Sequence, residues 1–182
     1  MKRLFVTTVL AFAALSATSA RAQTTQASRD ETRDKLSRLL TTVGARKEVN
    51  VEFKQSTQSP YVFGGVMRDG LKNCESLEIA AIVKPDDTID FRVYPHYKGG
   101  YINVDKAKNI SGLMHKLLAM SATNFLYWAI DDEGDVFAGY TVTLESGFPP
   151  EAITVVLLSM RNTDGFVGDM RPFIEGSTAS GN

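Results

Sequence analysis

One cysteine, two histidines and one tryptophan stand among 182 residues, and each scarcity closes a class of explanation. With Cys74 alone no internal disulfide can form, so packing must hold the fold. His96 and His115 show no His-x-x-x-His or Cys-His spacing, and no metal or other cofactor is expected. Lysines and arginines are scattered, without the clusters and interleaved aromatic residues that track a polyanion, so nucleic acid is not an expected partner. Gly64-Gly65 lacks the following Lys-Ser or Lys-Thr of a phosphate loop and reads as a bulge or a close backbone approach. Beyond Leu15 no apolar run is long enough to span a bilayer.

The amino terminus supplies a compartment. Lys2 and Arg3 precede an apolar run from Leu4 to Leu15, and Ser19-Ala20-Arg21-Ala22 sets small residues around a cleavage point. Residues 1–22 read as a secretory signal peptide cut after Ala22, with no cysteine there to carry a lipid, which implies a periplasmic or secreted protein. The remaining 160 residues keep 17 basic against 21 acidic side chains, a net charge of −4, and are one domain's worth of chain.

Residues 23–27 are small and polar, a short tail. Ser28-Arg29-Asp30-Glu31 has capping-box spacing, Leu36, Leu39, Leu40 and Val43 recur at helical intervals, and Gly44 stands where a left-handed cap would end a helix. Alternation then replaces that period. Extended runs are expected from Val49 to Lys54, Tyr61 to Arg68, Leu77 to Val83 and Ile89 to Tyr94, the last pair joined by a reversal at Lys84-Pro85-Asp86-Asp87. Ile110, Leu113, Met114, Leu117 and Leu118 line a second helix capped by Asp105 or Asn109, with His115 on its wet face. Phe125 to Ile130 is apolar on both alternating faces, which suits an interior strand. From Phe148-Pro149-Pro150-Glu151 one long helix with a weak middle at Thr163-Asp164-Gly165 should run to Ile174, followed by a polar tail from Gly176 to Asn182. Residues 28–175 then form a single domain of the α+β class. An antiparallel sheet packs against helices in the order α-β(3-5)-α-β-β-α.

Three places carry chemistry-bearing side chains. Asp131-Asp132-Glu133-Gly134-Asp135 has its glycine fourth, where a calcium loop needs it sixth, and reads as the wet tip of a hairpin. Cys74 is either a reactive thiol or a small half-buried hydrophobe opening a strand. Tyr94-Pro95-His96-Tyr97-Lys98-Gly99-Gly100-Tyr101 reads as a loop by its proline and glycines, and Tyr94, His96, Tyr97 and Tyr101 either contact a partner or fold down over the sheet edge.

The stretch AIDDEGDVFAGYTVTLESGFPPEAI sets an acidic-glycine hairpin between Trp128 and Tyr140, then Gly147, an acidic helix start at Glu151 and an apolar helix through Phe166 and Phe173. Over Asp105 to Ile174 it resembles the YbjN family, bacterial sensory-transduction regulators whose domain is similar in fold to the type III secretion chaperones. That resemblance implies a noncatalytic style of function and no catalytic residues. The expected activity is binding or chaperone-like, through contacts with a protein partner or a second copy and linked to stress or envelope regulation. Two other readings remain open: a small-ligand sensor with a cavity between the sheet and the C-terminal helix, and an envelope hydrolase built on His96, His115 or Asp132.

Overall fold

A computed structural model describes residues 28–144 and 150–176. The expected leader, the tail at 23–27, the helix approach at Phe148-Pro149 and residues 177–182 lie outside the described residues. Helix α1 covers 28–44. Five strands follow: β1 (Lys54–Gln55), β2 (Val62–Met67), β3 (Ser76–Val83), β4 (Thr88–Tyr97) and β5 (Gly100–Tyr101). A 3-10 turn (Val104–Lys106) leads into α2 (Ile110–Thr123), the hairpin of β6 (Tyr127–Ile130) and β7 (Val136–Thr143), and helices α3 (Pro150–Arg161) and α4 (Thr163–Glu175). The class is α+β, as expected, and the described pairings are all antiparallel, in the order β1-β2-β3-β4-β7-β6 with β5 added to β4.

Alternation sorts the strands into two faces. Phe63, Leu77, Ile79, Phe91, Val93 and Ala138 point to one side, each at most 3% exposed. They join a single core with Leu36, Leu40 and Val43 of α1, Leu113 and Leu117 of α2, Leu157 and Met160 of α3, and Val167 and Met170 of α4. Every helix therefore packs on that inner face. Among the described residues none covers the outer face, and the layer arrangement is two-layered.

Several expectations are corrected. Gly44 does not end α1 in a left-handed turn; it is required because a Cβ there would lie 2.3 Å from the carbonyl oxygen of Val51. Ser28 directs its hydroxyl to Asp87 Oδ2 at 2.6 Å, which ties the start of α1 to the β3–β4 turn. Gly65 likewise marks a close approach, by the side chains of Val51 and Phe53, in a ladder without a bulge. The extended run from Val49 contributes only Lys54–Gln55 as strand, although Val49 and Val51 are buried.

Farther along, only Leu113, Leu117 and Met120 of α2 are buried, while Ile110 and Leu118 stand 45% and 65% exposed. The apolar positions occupied two adjacent helical rows, and the core takes one. Asn109 caps α2 by accepting from Gly112 N at 2.8 Å, and Asp105 belongs to the 3-10 turn. Strand β6 is a sheet edge instead of an interior strand, because β7 is the one that pairs with β4. Its two apolar faces have separate covers: Trp128 meets Phe166 of α4, and Tyr127 lies over Gly139.

The long C-terminal helix is broken at Asn162. Thr163 is fully buried with its hydroxyl donating to Met160 O at 2.6 Å, and Asp164 turns inward to accept the backbone amides of Lys72, Asn73 and Cys74 at 3.0, 2.7 and 2.8 Å. A straight continuation would carry that carboxylate past the amides. Gly176, with φ of 72°, caps α4 and so belongs to the domain.

Candidate functional site

The segment from Tyr94 to Tyr101 is a hairpin rather than a loop. Strand β4 runs on through Tyr97, Lys98 and Gly99 make the turn with φ of 54° and 83°, and β5 returns with His96 opposite Tyr101. Two successive positive φ values are what a tight two-residue hairpin demands, and Gly99 meets the second without cost. Strand alternation then divides the four singled-out residues. Tyr94, His96 and Tyr101 lie on the bare outer face. Tyr97 lies on the inner side, where its hydroxyl donates to Glu175 at the end of α4 and Arg171 sits 5.3 Å from its ring.

On the outer face the rings form a belt across strands. Tyr127 of β6 is 6.2 Å from Phe137 of β7, Phe137 is 5.4 Å from Tyr94 of β4, Tyr94 is 5.7 Å from Tyr101 of β5, and Tyr101 is 4.4 Å from His96. Such contacts add about 0.5–1.5 kcal/mol per pair beyond area burial. Phe137 is only 5% exposed yet stands outside the main core cluster, so the belt is a small second core. The Arg92 guanidinium lies 4.8 Å over its ring.

Carboxylates hold the two outermost rings. Tyr101 donates to Glu78 Oε2 at 2.7 Å, and Tyr127 donates to Asp90 Oδ1 at 2.9 Å. Asp90 is 1% exposed, and such a charge persists only when its neighbours satisfy it. Arg92 Nε at 3.0 Å, Lys84 Nζ at 3.6 Å and the Thr141 hydroxyl at 3.2 Å do so. Burial first, and Glu78 second, push the Tyr101 phenol up to about 12. Burial and Asp90 raise Tyr127 in the same way. Both phenols therefore stay neutral donors, and their rings are fixed in orientation.

His96 Nε2 comes within 3.4 Å of Glu78 Oε2 without the alignment of a hydrogen bond. Ser76 faces His96 across the β3–β4 ladder, but no hydrogen bond joins them among the described contacts, and nearby no amide pair is placed to stabilise an oxyanion. His115 is exposed on α2, and Asp132 is exposed at the β6–β7 tip; neither approaches His96 through any described contact. Burial, with Asp164 second, raises the Cys74 thiol and suppresses its thiolate. The acidic stretch forms a turn. Asp131 Oδ1 accepts from the amides of Glu133 and Asp135 at 3.1 and 2.9 Å, and Gly134 has φ of 80°. Among the described residues no group of three or more His, Cys, Asp or Glu side chains is arranged to hold a metal ion, and no helix is long and apolar enough to cross a membrane.

Sequence reasoning had not singled out Glu78, Asp90, Arg92, Phe137 or Tyr127 for this surface. Alternation could have found the first three, since Glu78, Asp90 and Arg92 share the phase of Tyr94 and His96 once the β3–β4 reversal is placed. Compared with family models, curated proteins and solved structures, the chain matches none.

Proposed function

We propose that this is a noncatalytic binding module of the periplasm that engages a protein partner through the helix-free face of its sheet. One observation carries the reading: two partly exposed tyrosine rings, Tyr101 at 40% and Tyr127 at 38%, are held in place by carboxylates on a face that no described helix covers. Rigid aromatic side chains with satisfied hydroxyls offer contact area at little entropic cost, which is the character of binding hot spots. Export rests on the Lys2-Arg3 start and the small residues before Gln23, and the noncatalytic style agrees with the resemblance to the YbjN family and the type III secretion chaperone fold. The test is a crosslinking comparison in periplasmic extract of the wild type and the Tyr101→Ala/Tyr127→Ala double variant. Loss of the crosslinked species with unchanged melting supports the reading, and equal capture by the folded variant removes the face from it. Native mass spectrometry of the same material separates a different protein from a second copy, and its intact mass reports whether residues 1–22 were removed.

One observation favours a second reading, a small-ligand sensor between the sheet and the C-terminal helices. The indole Nε1 of Trp128 is buried without a hydrogen-bond partner beside Phe166. A metabolite that raises the melting temperature of the wild type but not of Trp128→Phe would establish it.

A further inference from the structure

The relief and charge of the outer face specify its partner more narrowly, on the premise that this face is the binding surface. Tyr94 and Phe137 are tilted by 36° and form a floor. Tyr101 stands at 62° to Tyr94 on one side, and Tyr127 at 79° to Phe137 on the other. The floor thus lies between two aromatic ridges, and Arg92 caps it from above with guanidinium N–H groups besides the Nε that Asp90 takes. From this the geometry points to a neutral, proline-rich extended peptide segment as the occupant.

Three considerations select it. Charge on the face is settled internally, Asp90 by Arg92 and Lys84 and Glu78 by the Tyr101 hydroxyl, so a strongly charged segment finds no complement. Addition of a β-strand at the neighbouring edge is obstructed, because the Ser121 hydroxyl already accepts from Trp128 N at 2.7 Å and donates to Trp128 O at 3.2 Å. Rings tilted by 62° and 79° grip a small saturated ring between ridges, whereas a sugar stacking on its face needs an open coplanar platform. Polyproline II segments bring such rings with little ordering entropy left to lose, and they expose carbonyl oxygens that Arg92 can serve as donor.

The experiment titrates isotope-labelled full-length protein with a neutral Pro-Pro-Ala repeat peptide, a Gly-Ser peptide of equal length and a chito-oligosaccharide, followed by amide and aromatic NMR shifts. Support is a response to the proline peptide alone, centred on Tyr94, Tyr101, Tyr127 and Phe137 and weakened at least about tenfold in Tyr101→Ala. A second variant, Ala80→Lys, sets a charge on the same face without removing any ring and should weaken binding as well. Shifts with the oligosaccharide only, no shift with any probe, or peptide binding indifferent to both variants overturns the inference. Failure of the peptide while the double tyrosine variant still loses its crosslinked partner would overturn this identification alone. Unchanged crosslinking would overturn the face itself.

Discussion

The ring of Tyr127 crosses directly over Gly139, so closely that a Cβ on Gly139 would lie 2.5 Å from Tyr127 Cζ. The missing side chain is what lets the phenol reach Asp90 from the neighbouring strand. Gly139→Ala should therefore push the ring outward, break its hydrogen bond and uncover a buried carboxylate. We expect a loss of about 1–3 kcal/mol in urea unfolding. Gly64→Ala is the control, since a Cβ there meets nothing within 4 Å, and it should stay within about 0.5 kcal/mol of wild type. Equal losses in the two variants would show that the ring does not depend on Gly139.

Asp164 gives a test by pH. Burial opposes its ionisation, but the amides of Lys72, Asn73 and Cys74 outweigh that and hold the carboxyl below the usual aspartate range. A lowered value in the folded state means that the stabilisation is complete above the unfolded aspartate value of about 3.9 and is lost as pH falls from there through the folded-state value. Asp164→Asn should cost about 3 kcal/mol near neutrality, because the amide's NH2 faces donors it cannot accept from. The gap between variant and wild type should close in acid below about pH 4. A gap independent of pH would assign the loss to packing.

Ser121 protects the free edge of the sheet. Its hydroxyl occupies both backbone groups of Trp128, the centre of β6, so no other strand can pair there. Ser121→Ala should destabilise by about 1–2 kcal/mol through the orphaned amide. It should also increase self-association, since unpaired edges template addition of further strands. Light scattering against protein concentration reads the second effect, and unchanged scattering would place the protection elsewhere.

The contrast between elements and faces explains what the sequence could convey. Turn chemistry is local, so Lys84 to Asp87 and Asp131 to Asp135 were legible from their aspartates, proline and glycine, and the helical rows of α1 and α2 from their leucines. Whether a residue at the right period meets the core or water depends on partners far along the chain. Ile110 and Leu118 lie one row away from the buried stripe of α2, and β6 became an edge only because β7 pairs with β4. The candidate surface was half visible for the same reason. Tyr94, His96 and Tyr101 stood out by residue type, but the turn at Lys98-Gly99 extends the strand and sends Tyr97 to the other side. Phe137 and Tyr127 join the belt through a pairing nearly forty residues away in the chain.

Alkaline titration tests whether Glu78 holds the Tyr101 ring. Burial and that carboxylate raise the phenol from 10 to about 12 in the folded protein. A raised value means that the stabilisation is present in full below the unfolded tyrosine value and is lost as pH climbs from about 10 toward the folded-state value. Tyr101→Phe keeps the ring and deletes the titrating proton, so its stability should fall less than that of wild type across this window. Glu78→Gln should let phenolate absorbance develop at lower pH, because the repelling charge is gone while an acceptor oxygen remains. If neither substitution changes the alkaline profile, the ring is held by packing against Tyr94 and His96, and the Tyr101 ridge does not depend on its hydrogen bond.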